Sequence, residues 1–328
     1  MSWDTGLNVS RWAKQLAYEV GKEIYFSKFM GDTFESMIVS KTMPEGKGKD
    51  MTFGMVGLTG TAVTGDSALE GNEQNLTSNE VTVTTNQRRF GVINAGAFDD
   101  SKVLYNFRKE ALGQLKREFA EDHDEQIFSA LTKTSGAGAY LRADNSASVY
   151  AATDPKANLA AADLATPGDI SKLKKMAMLG TTKSYKMSPI RVDGKEYYVL
   201  LLHPECAYDL AQNSTWVNAQ QYANIRGEDN PIFSGALGVY DGVVVHEHEG
   251  ITTAADGGGA SVNYARNLFL GAGAACHAQI DGMSWVEKTF DYGNKLGVAA
   301  GQIYGVGLST FDSKEYGVIQ YIAARTDL

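Results

Sequence analysis

The segment from Pro44 to Arg89 constrains this chain more than any other, because it is too poor in large apolar residues to bury a core of its own. It opens on a polar, glycine-punctuated entry, Glu45-Gly46-Lys47-Gly48-Lys49-Asp50. A short strand-like run follows from Met51 to Val56, then a long Gly/Thr/Ser/Asn stretch, then Val81-Thr82-Val83-Thr84. In that last run the valines share one face and the threonines the other, the period of a half-buried strand. Compact domains rarely carry so long a polar stretch without a purpose. The pattern predicts a long two-stranded flap that rests on something else.

Residues 99–133 predict the complementary element, a rod. Asp99, Asp100 or Ser101 offers an N-cap, and Ser135-Gly136 a stop. Leu104, Phe107, Ala111, Leu115, Phe119, Ile127 and Leu131 mark one continuous apolar face. Some thirty residues at 1.5 Å each make about 45 Å, enough to cross a whole domain. Residues 8–30 predict a shorter amphipathic helix, with Trp12, Leu16, Val20 and Ile24 every four residues, capped by Asn8 or Ser10 and ended by Gly31. Glu19 and Glu23 dilute the basic face that a membrane-surface helix needs, so its stripe packs on protein.

The stretch from about Ser135 to Ala165 is small and polar and reads as an irregular connection. Thr166-Pro167-Gly168-Asp169 then opens a helix, with Ile170, Leu173 and Met176 inward and Gly180 as its stop. Tyr197 to Leu202 reads as a buried strand, His203-Pro204 starts a short helix through Leu210, and Trp216 to Ala223 adds another helical piece. Asp241-Gly242, between Tyr240 and Val243, signals a type I′ hairpin turn. Asn267 to Leu270 and Val318 to Ile322 are further strands. The fold class is α+β, without a regular βαβ repeat.

Several functions drop out on composition. The chain has 328 residues, 43% of them apolar, so it folds as a globular body. Thirty-five glycines and only 6 prolines suit many turns and flexible extensions. A net charge of −9 argues against coating nucleic acid through its phosphates. No run approaches the roughly 20 apolar residues of a membrane span, and no basic-then-apolar leader is visible at the start. Two cysteines, Cys206 and Cys276, build no disulfide framework and suit a reducing compartment.

Candidate chemistry is sparse. Gly271-Ala272-Gly273-Ala274-Ala275-Cys276 imitates a dinucleotide loop, with Asp291 downstream. Yet Cys276 replaces the third glycine and Asp281-Gly282 arrives too soon for a helix, so close backbone packing is the better reading. His246 and His248 sit two apart on a strand and point to one side; a metal there needs a third ligand, from His203, His277 or a cysteine. Glu118, Glu121, Asp122 and Glu125 line one helix face, as a solvated surface, as partners for basic groups of another segment or subunit, or as a cation site. His123 falls instead on the apolar row between Phe119 and Ile127, the place of a hydrogen-bonded packing histidine. There is no phosphate loop, nucleophile elbow or zinc helix, and Cys206 near His203 is no nucleophile pair by sequence proximity alone.

The order of elements is more specific than any motif. Local matches run from Gly65-Asp66 and Leu69-Glu70-Gly71-Asn72-Glu73 through Val81 to Arg89, then His203-Pro204, Asp209-Leu210 and Trp216. They continue through Pro231 to Gly238, Tyr240 to Val243, Leu270-Gly271 with Ala274, Asp291-Tyr292-Gly293, Phe311, and Tyr316 to Ile319. In this series the chain resembles the major capsid proteins of tailed bacteriophages, especially a podovirus-type coat protein family. The resemblance implies an N-terminal arm (1–44), an E-loop hairpin with P-domain strands (45–98), a P-domain spine helix (99–134), a connection (135–165), an axial A-domain (166–285) and closing P-domain strands (286–328). It implies copies of the chain as partners, in pentamers and hexamers that close an icosahedral shell around double-stranded DNA, with scaffolding, portal and decoration proteins as further partners. It implies no enzyme activity, cofactor, metal or membrane, and a place in the virion after assembly in the host cytoplasm. Arg88 and Arg89 at the base of the flap are then the candidates to meet Glu118, Glu121, Asp122 and Glu125 of an adjacent subunit. Two other readings compete: a metal-dependent enzyme built on His246 and His248, and a bacterial nanocompartment shell of the same fold.

Overall fold

The computed structural model describes residues 5–43, 48–58, 64, 66, 69–73, 76–94, 96, 102, 106–133, 138–143, 148–151, 155–179, 186–192, 194–222, 237–258, 262–280, 282–311, 314–315 and 317–326. The caps expected at Asp99 to Ser101, the helical Leu104, the stops at Ser135, Gly136 and Gly180, and Gly65, Ala223, 231–236, Asp281 and Tyr316 lie outside this set.

The elements in chain order are α1 (Thr5–Glu23), β1 (Met30–Gly31), β2 (Ile38–Met43), β3 (Asp50–Leu58), β4 (Leu76–Thr84), β5 (Asn86–Ile93), α2 (Phe107–Leu131), β6 (Gly138–Arg142), β7 (Ser148–Ala151), α3 (Pro167–Leu179), β8 (Ile190–Val192) and β9 (Lys195–Leu202). There follow α4 (Pro204–Gln212), α5 (Ser214–Tyr222), β10 (Gly238–Tyr240), β11 (Val243–Glu247), β12 (Thr253–Gly257), β13 (Val262–Leu270), β14 (Ala275–Ile280), β15 (Ser284–Phe290), β16 (Lys295–Leu308), β17 (Thr310–Phe311), β18 (Lys314–Glu315) and β19 (Val318–Ala324). They make two main sheets, of six and nine strands, a separate two-stranded ribbon of β3 and β4, and the short pair β17 and β18.

In the six-stranded sheet the long β16 is the spine of the hydrogen bonding. β15 and β14 pair antiparallel with successive halves of it, and β5 pairs antiparallel from Gly297 to Tyr304. β14 carries the order on to β2 and β1. α2 lies across β16 and β5, and α1 packs on α2 and β15. The stripe of α1 does what its spacing predicts: Leu16, Val20 and Ile24 are buried, and Trp12 stacks on Trp285 at 5.9 Å. The helix nevertheless stops at Glu23, short of Gly31, and Tyr25–Phe29 tightens into a 3-10 turn. Asp124 on α2 fixes this change by accepting from the Tyr25 and Phe26 backbone N–H groups, at 2.9 and 3.3 Å, which caps the new turn from outside.

α2 is also shorter than expected, 25 residues or about 37 Å. It starts at Phe107, because Asn106 takes an extended backbone and its side chain accepts from Arg108 N–H as the N-cap. Its buried row, Ala111, Leu115, Phe119, His123, Ile127 and Leu131, is the predicted one.

The nine-stranded sheet runs β10-β11-β9-β13-β19-β6-β7, with β12 and β8 on its borders. Its centre is apolar on both faces: Val199 to Leu202, Leu268 to Leu270 and Val318 to Ala324 are buried without interruption, Gln320 included. The predicted helix start at Thr166 is closed by Asp169, whose carboxylate accepts from both Thr166 N–H and Oγ1 while Tyr321 OH donates to it at 3.0 Å. Asp241 and Gly242 take the positive φ of 51° and 77° that their turn requires. The 135–165 stretch is a correction. Instead of an irregular connection it supplies β6 and β7, since β19 accepts β6 as a parallel neighbour. Contiguous residue ranges also fail to follow the sheets: β14 joins the six-stranded sheet, and β19 sits inside the nine-stranded one.

The flap is real. β3 and β4 pair antiparallel from Asp50↔Thr84 to Leu58↔Leu76 and, among the described residues, share a ladder with no other strand, although the Asn79 side chain of β4 donates to Thr310 O of β17 at 3.4 Å. Its base does not wait for another molecule. Phe53, Val81 and Val83 are buried against Val39, Cys276 and Ala278 of the six-stranded sheet. Gly305 and Gly307 make the crossing possible, since a Cβ at Gly305 would stand 2.3 Å from Thr84 O and one at Gly307 2.9 Å from Val83 Cγ2. Thr85 alone separates β4 from β5, and both its N–H (2.7 Å) and its hydroxyl (2.8 Å) donate to Lys49 O.

Candidate assembly surface

The charged groups singled out by sequence gather where β5 runs beside α2. Alternation along β5 sends Arg88, Phe90 and Val92 toward the helix, and Phe90 meets Phe119 edge-on at 4.8 Å. Arg88 Nη1 donates to Asp122 Oδ1 at 3.0 Å, and the Tyr304 hydroxyl donates to the same carboxylate. The basic and acidic partners expected across a subunit boundary thus meet, for this pair, inside one chain. Arg89 points to the opposite face of the sheet and is exposed, its stem lying over Gly301. Glu118, Glu121 and Glu125 are exposed on the helix.

A second exposed area adjoins Arg89. Trp285 and Glu287 of β15 face the helices, where Arg108 clamps Glu287 with Nη2 at 2.8 Å and Nε at 3.0 Å. That bidentate donation holds the Glu287 carboxyl below its ordinary range. Val286 between them faces outward and is 55% exposed, as Ile93 on β5 is at 54%. Sequence reasoning did not find Arg108, Glu287 or Tyr304, whose partners lie far away along the chain. The i, i+2 alternation of Trp285 and Glu287 was the one available signal.

Among the described residues the histidines do not converge on one point. His246 on β11 packs edge-on against Phe29 at 5.6 Å, and His248 lies against Tyr25 at 4.3 Å and Phe128 at 4.8 Å. They do share a side, as the spacing predicts, but that side is an aromatic cluster. His203 sits elsewhere, its Nδ1 accepting from Glu205 N–H as the cap of α4, and His277 is buried on β14. Among the described residues no three His, Cys, Asp or Glu side chains converge to hold a metal ion. Burial pushes the Cys206 thiol up to about 12 and Cys276 to about 11, which disfavours either thiolate. Cys206 directs its Sγ to Ala324 O and not to His203. The glycine-rich 271–276 segment turns tightly between β13 and β14, and a Cβ at Gly271 would meet Met187 Cγ at 2.5 Å. The dinucleotide look-alike is a packing device.

No helix among the described residues is long and apolar enough to cross a membrane. The sequence profile of the family described as phage capsid protein matches residues 1–323, nearly the whole chain. The chain belongs to the phage capsid protein family. The major capsid protein of Pseudomonas phage KPP25 is 27% identical over 95% of this chain and 94% of its own. Among solved structures, the capsid of Ralstonia phage GP4 superposes with a TM-score of 0.80 at 27% identity, covering 93% of this chain and 92% of that one. The Cyanophage Pam1 capsid gives 0.75 at 23% identity and 92% coverage of each chain, a likeness of fold. This is a tailed-phage major capsid protein with a structural role in the virion, and its α+β architecture is that of the tailed-phage major capsid fold.

Proposed function

We propose that this capsid protein is a self-assembling tile, whose pentamers and hexamers close an icosahedral shell around double-stranded DNA. The observation that carries the reading is the two-stranded ribbon: a nine-residue ladder on each side, held to the body from its base as far as Met55 and Asn79, on a chain whose residues 1–323 match the phage capsid protein family. In this reading the ribbon is the E-loop, α1 begins the N-arm, the six-stranded sheet with α2 as its spine is the P-domain, and the nine-stranded sheet is the A-domain. The net charge of −9 suits a container that must not grip a polyanion. Assembly takes place in the host cytoplasm with portal, scaffolding and decoration proteins, and the chain performs no catalysis.

Contacts between tiles draw on groups that are exposed here: Arg89 on the outer sheet face, and Glu118, Glu121 and Glu125 on α2. Each exposed pair contributes only ~0–1 kcal/mol, but a shell repeats it at every contact. Negative-stain microscopy and sedimentation of the protein expressed alone and with its structural partners test the reading. Closed particles are expected, and a stable monomer under both conditions overturns it. Within that test, Glu118→Lys with Glu121→Lys is expected to lower particle yield and weaken its salt dependence. Unchanged yield removes these two carboxylates from the contact.

A further inference from the structure

Two buried histidines meet where the rod helix crosses the six-stranded sheet. His123 of α2 and His277 of β14 are 1% and 2% exposed, with ring centres 5.5 Å apart. Each ring has one neutral hydrogen-bond partner. His123 Nε2 bonds Gln302 Oε1 at 3.1 Å, and His277 Nδ1 bonds Ser40 Oγ at 3.0 Å. The other two ring nitrogens, His123 Nδ1 and His277 Nε2, are buried without a partner among the described residues. A proton placed there has no acceptor, and a charged imidazole in such a site is strongly disfavoured.

We propose that the His123–His277 pair is a proton-operated joint: proton uptake by the pair drives α2 and β14 apart, loosening the rod on its sheet before the nine-stranded core yields.

The surrounding charges do not offset the effect. From α2, Asp122 is already engaged by Arg88 and the Tyr304 hydroxyl, and Glu125 is exposed. From β5 comes Arg88, itself a cation. From β16, Tyr304 lies nearly parallel on His123 at 3.6 Å, its phenol kept protonated by burial and by Asp122. From β2 comes only the neutral Ser40. Burial accordingly lowers His277 to about 3, with the charge of His123 adding to it. Burial lowers His123 too, outweighing the Gln302 hydrogen bond and Asp122. Both folded values lie below the ordinary 6.5, so the unfolded chain binds more protons. The stabilisation is therefore complete above about pH 6.5 and is lost as pH falls from there toward the folded values. His203 and His248 are also lowered by burial, but each is less buried and has a carboxylate beside it, Glu205 or Glu249, that favours its charged form.

Hydrogen exchange on the full protein, compared at about pH 7 and about pH 4.5 after correction for intrinsic rates, reads the joint directly. Protection across 115–127 and 275–280 is expected to fall tenfold or more, roughly the effect of a one-unit pKa difference, while 264–270 and 318–324 hold. His123→Gln and His277→Asn, which keep the bonds to Gln302 and Ser40, are each expected to flatten that dependence. Unchanged protection of the two segments in the natural protein, or an equal fall in both variants, overturns the proposal. Should the variants not fold, ring titration in the natural protein decides: values near 6.5 for both histidines overturn it, and depressed values with loss of the two segments support it.

Discussion

The two large sheets solve the same packing problem with different materials. The nine-stranded sheet buries almost every side chain of its central strands β9, β13 and β19, mostly aliphatic and aromatic but with Arg266, Asn267 and Gln320 among them. The six-stranded sheet is built around a glycine-rich strand, buries His123, His277, Gln302 and Thr85, and leaves Arg89, Ile93 and Val286 in the open. Apolar burial is non-directional and proportional to area, so the first sheet is a stable platform. The second is held by hydrogen bonds and ion pairs with defined partners, which specify position but respond to charge. The difference is one of degree, since Arg266, Asn267 and Gln320 are buried in the first sheet and Ile38, Trp285 and Val298 in the second.

Truncation at the centre of the apolar sheet should have the largest effect. Phe269→Ala removes a fully buried ring and is expected to cost ~3–5 kcal/mol, read as a lower midpoint in chemical denaturation. An effect below about 1 kcal/mol would break the distinction between the sheets. Next comes Asp122→Asn, which weakens the hold on Arg88 and Tyr304 and is expected to cost roughly 1.5–3 kcal/mol. A double-mutant cycle with Arg88→Met should recover most of that as coupling, and additive losses would refute the pairing. Gly305→Val drives a side chain into Thr84 O at the ribbon's crossing. A cost of about 1–3 kcal/mol is expected, together with faster proteolysis within 48–84. Intact protection of that segment would show the crossing to be dispensable. The smallest effect is reserved for Glu287→Gln, at ~0–1 kcal/mol, because its partner Arg108 is half exposed. The Arg108 hydrogen bonds hold Glu287 below 4.5, so the natural protein's advantage should be present above that pH and fade as pH falls through the lowered value.

The sequence makes the apolar sheet far more legible than the polar one. Runs such as Tyr197 to Leu202 and Val318 to Ile322 declare buried strands, and the row from Ala111 to Leu131 declares the helix face. The helix start escaped because Leu104 and Phe107 continue the period across Asn106, and only the backbone shows that Asn106 is the cap. β6 and β7 escaped because their short, small-residue segments become strands through what β19 and each other provide. Along β5, alternation announces that Arg88 and Arg89 face opposite ways, but not which faces inward. That choice belongs to Phe90, whose ring fits against Phe119. The burial of His123 is legible from its place on the row between Phe119 and Ile127, but nothing local announces that its neighbour there is His277.

Thr85 carries a consequence larger than its size. One residue joins ribbon to sheet, and both of its donors converge on the single carbonyl of Lys49. That hinge and the packing of Phe53, Val81 and Val83 beside it together set the inclination of the arm, as a mitre and its glue set the angle of a frame. A bend of a few degrees at this one junction swings the far end of a nine-residue ladder through several times the displacement at its base, so the ribbon's reach is governed from its root.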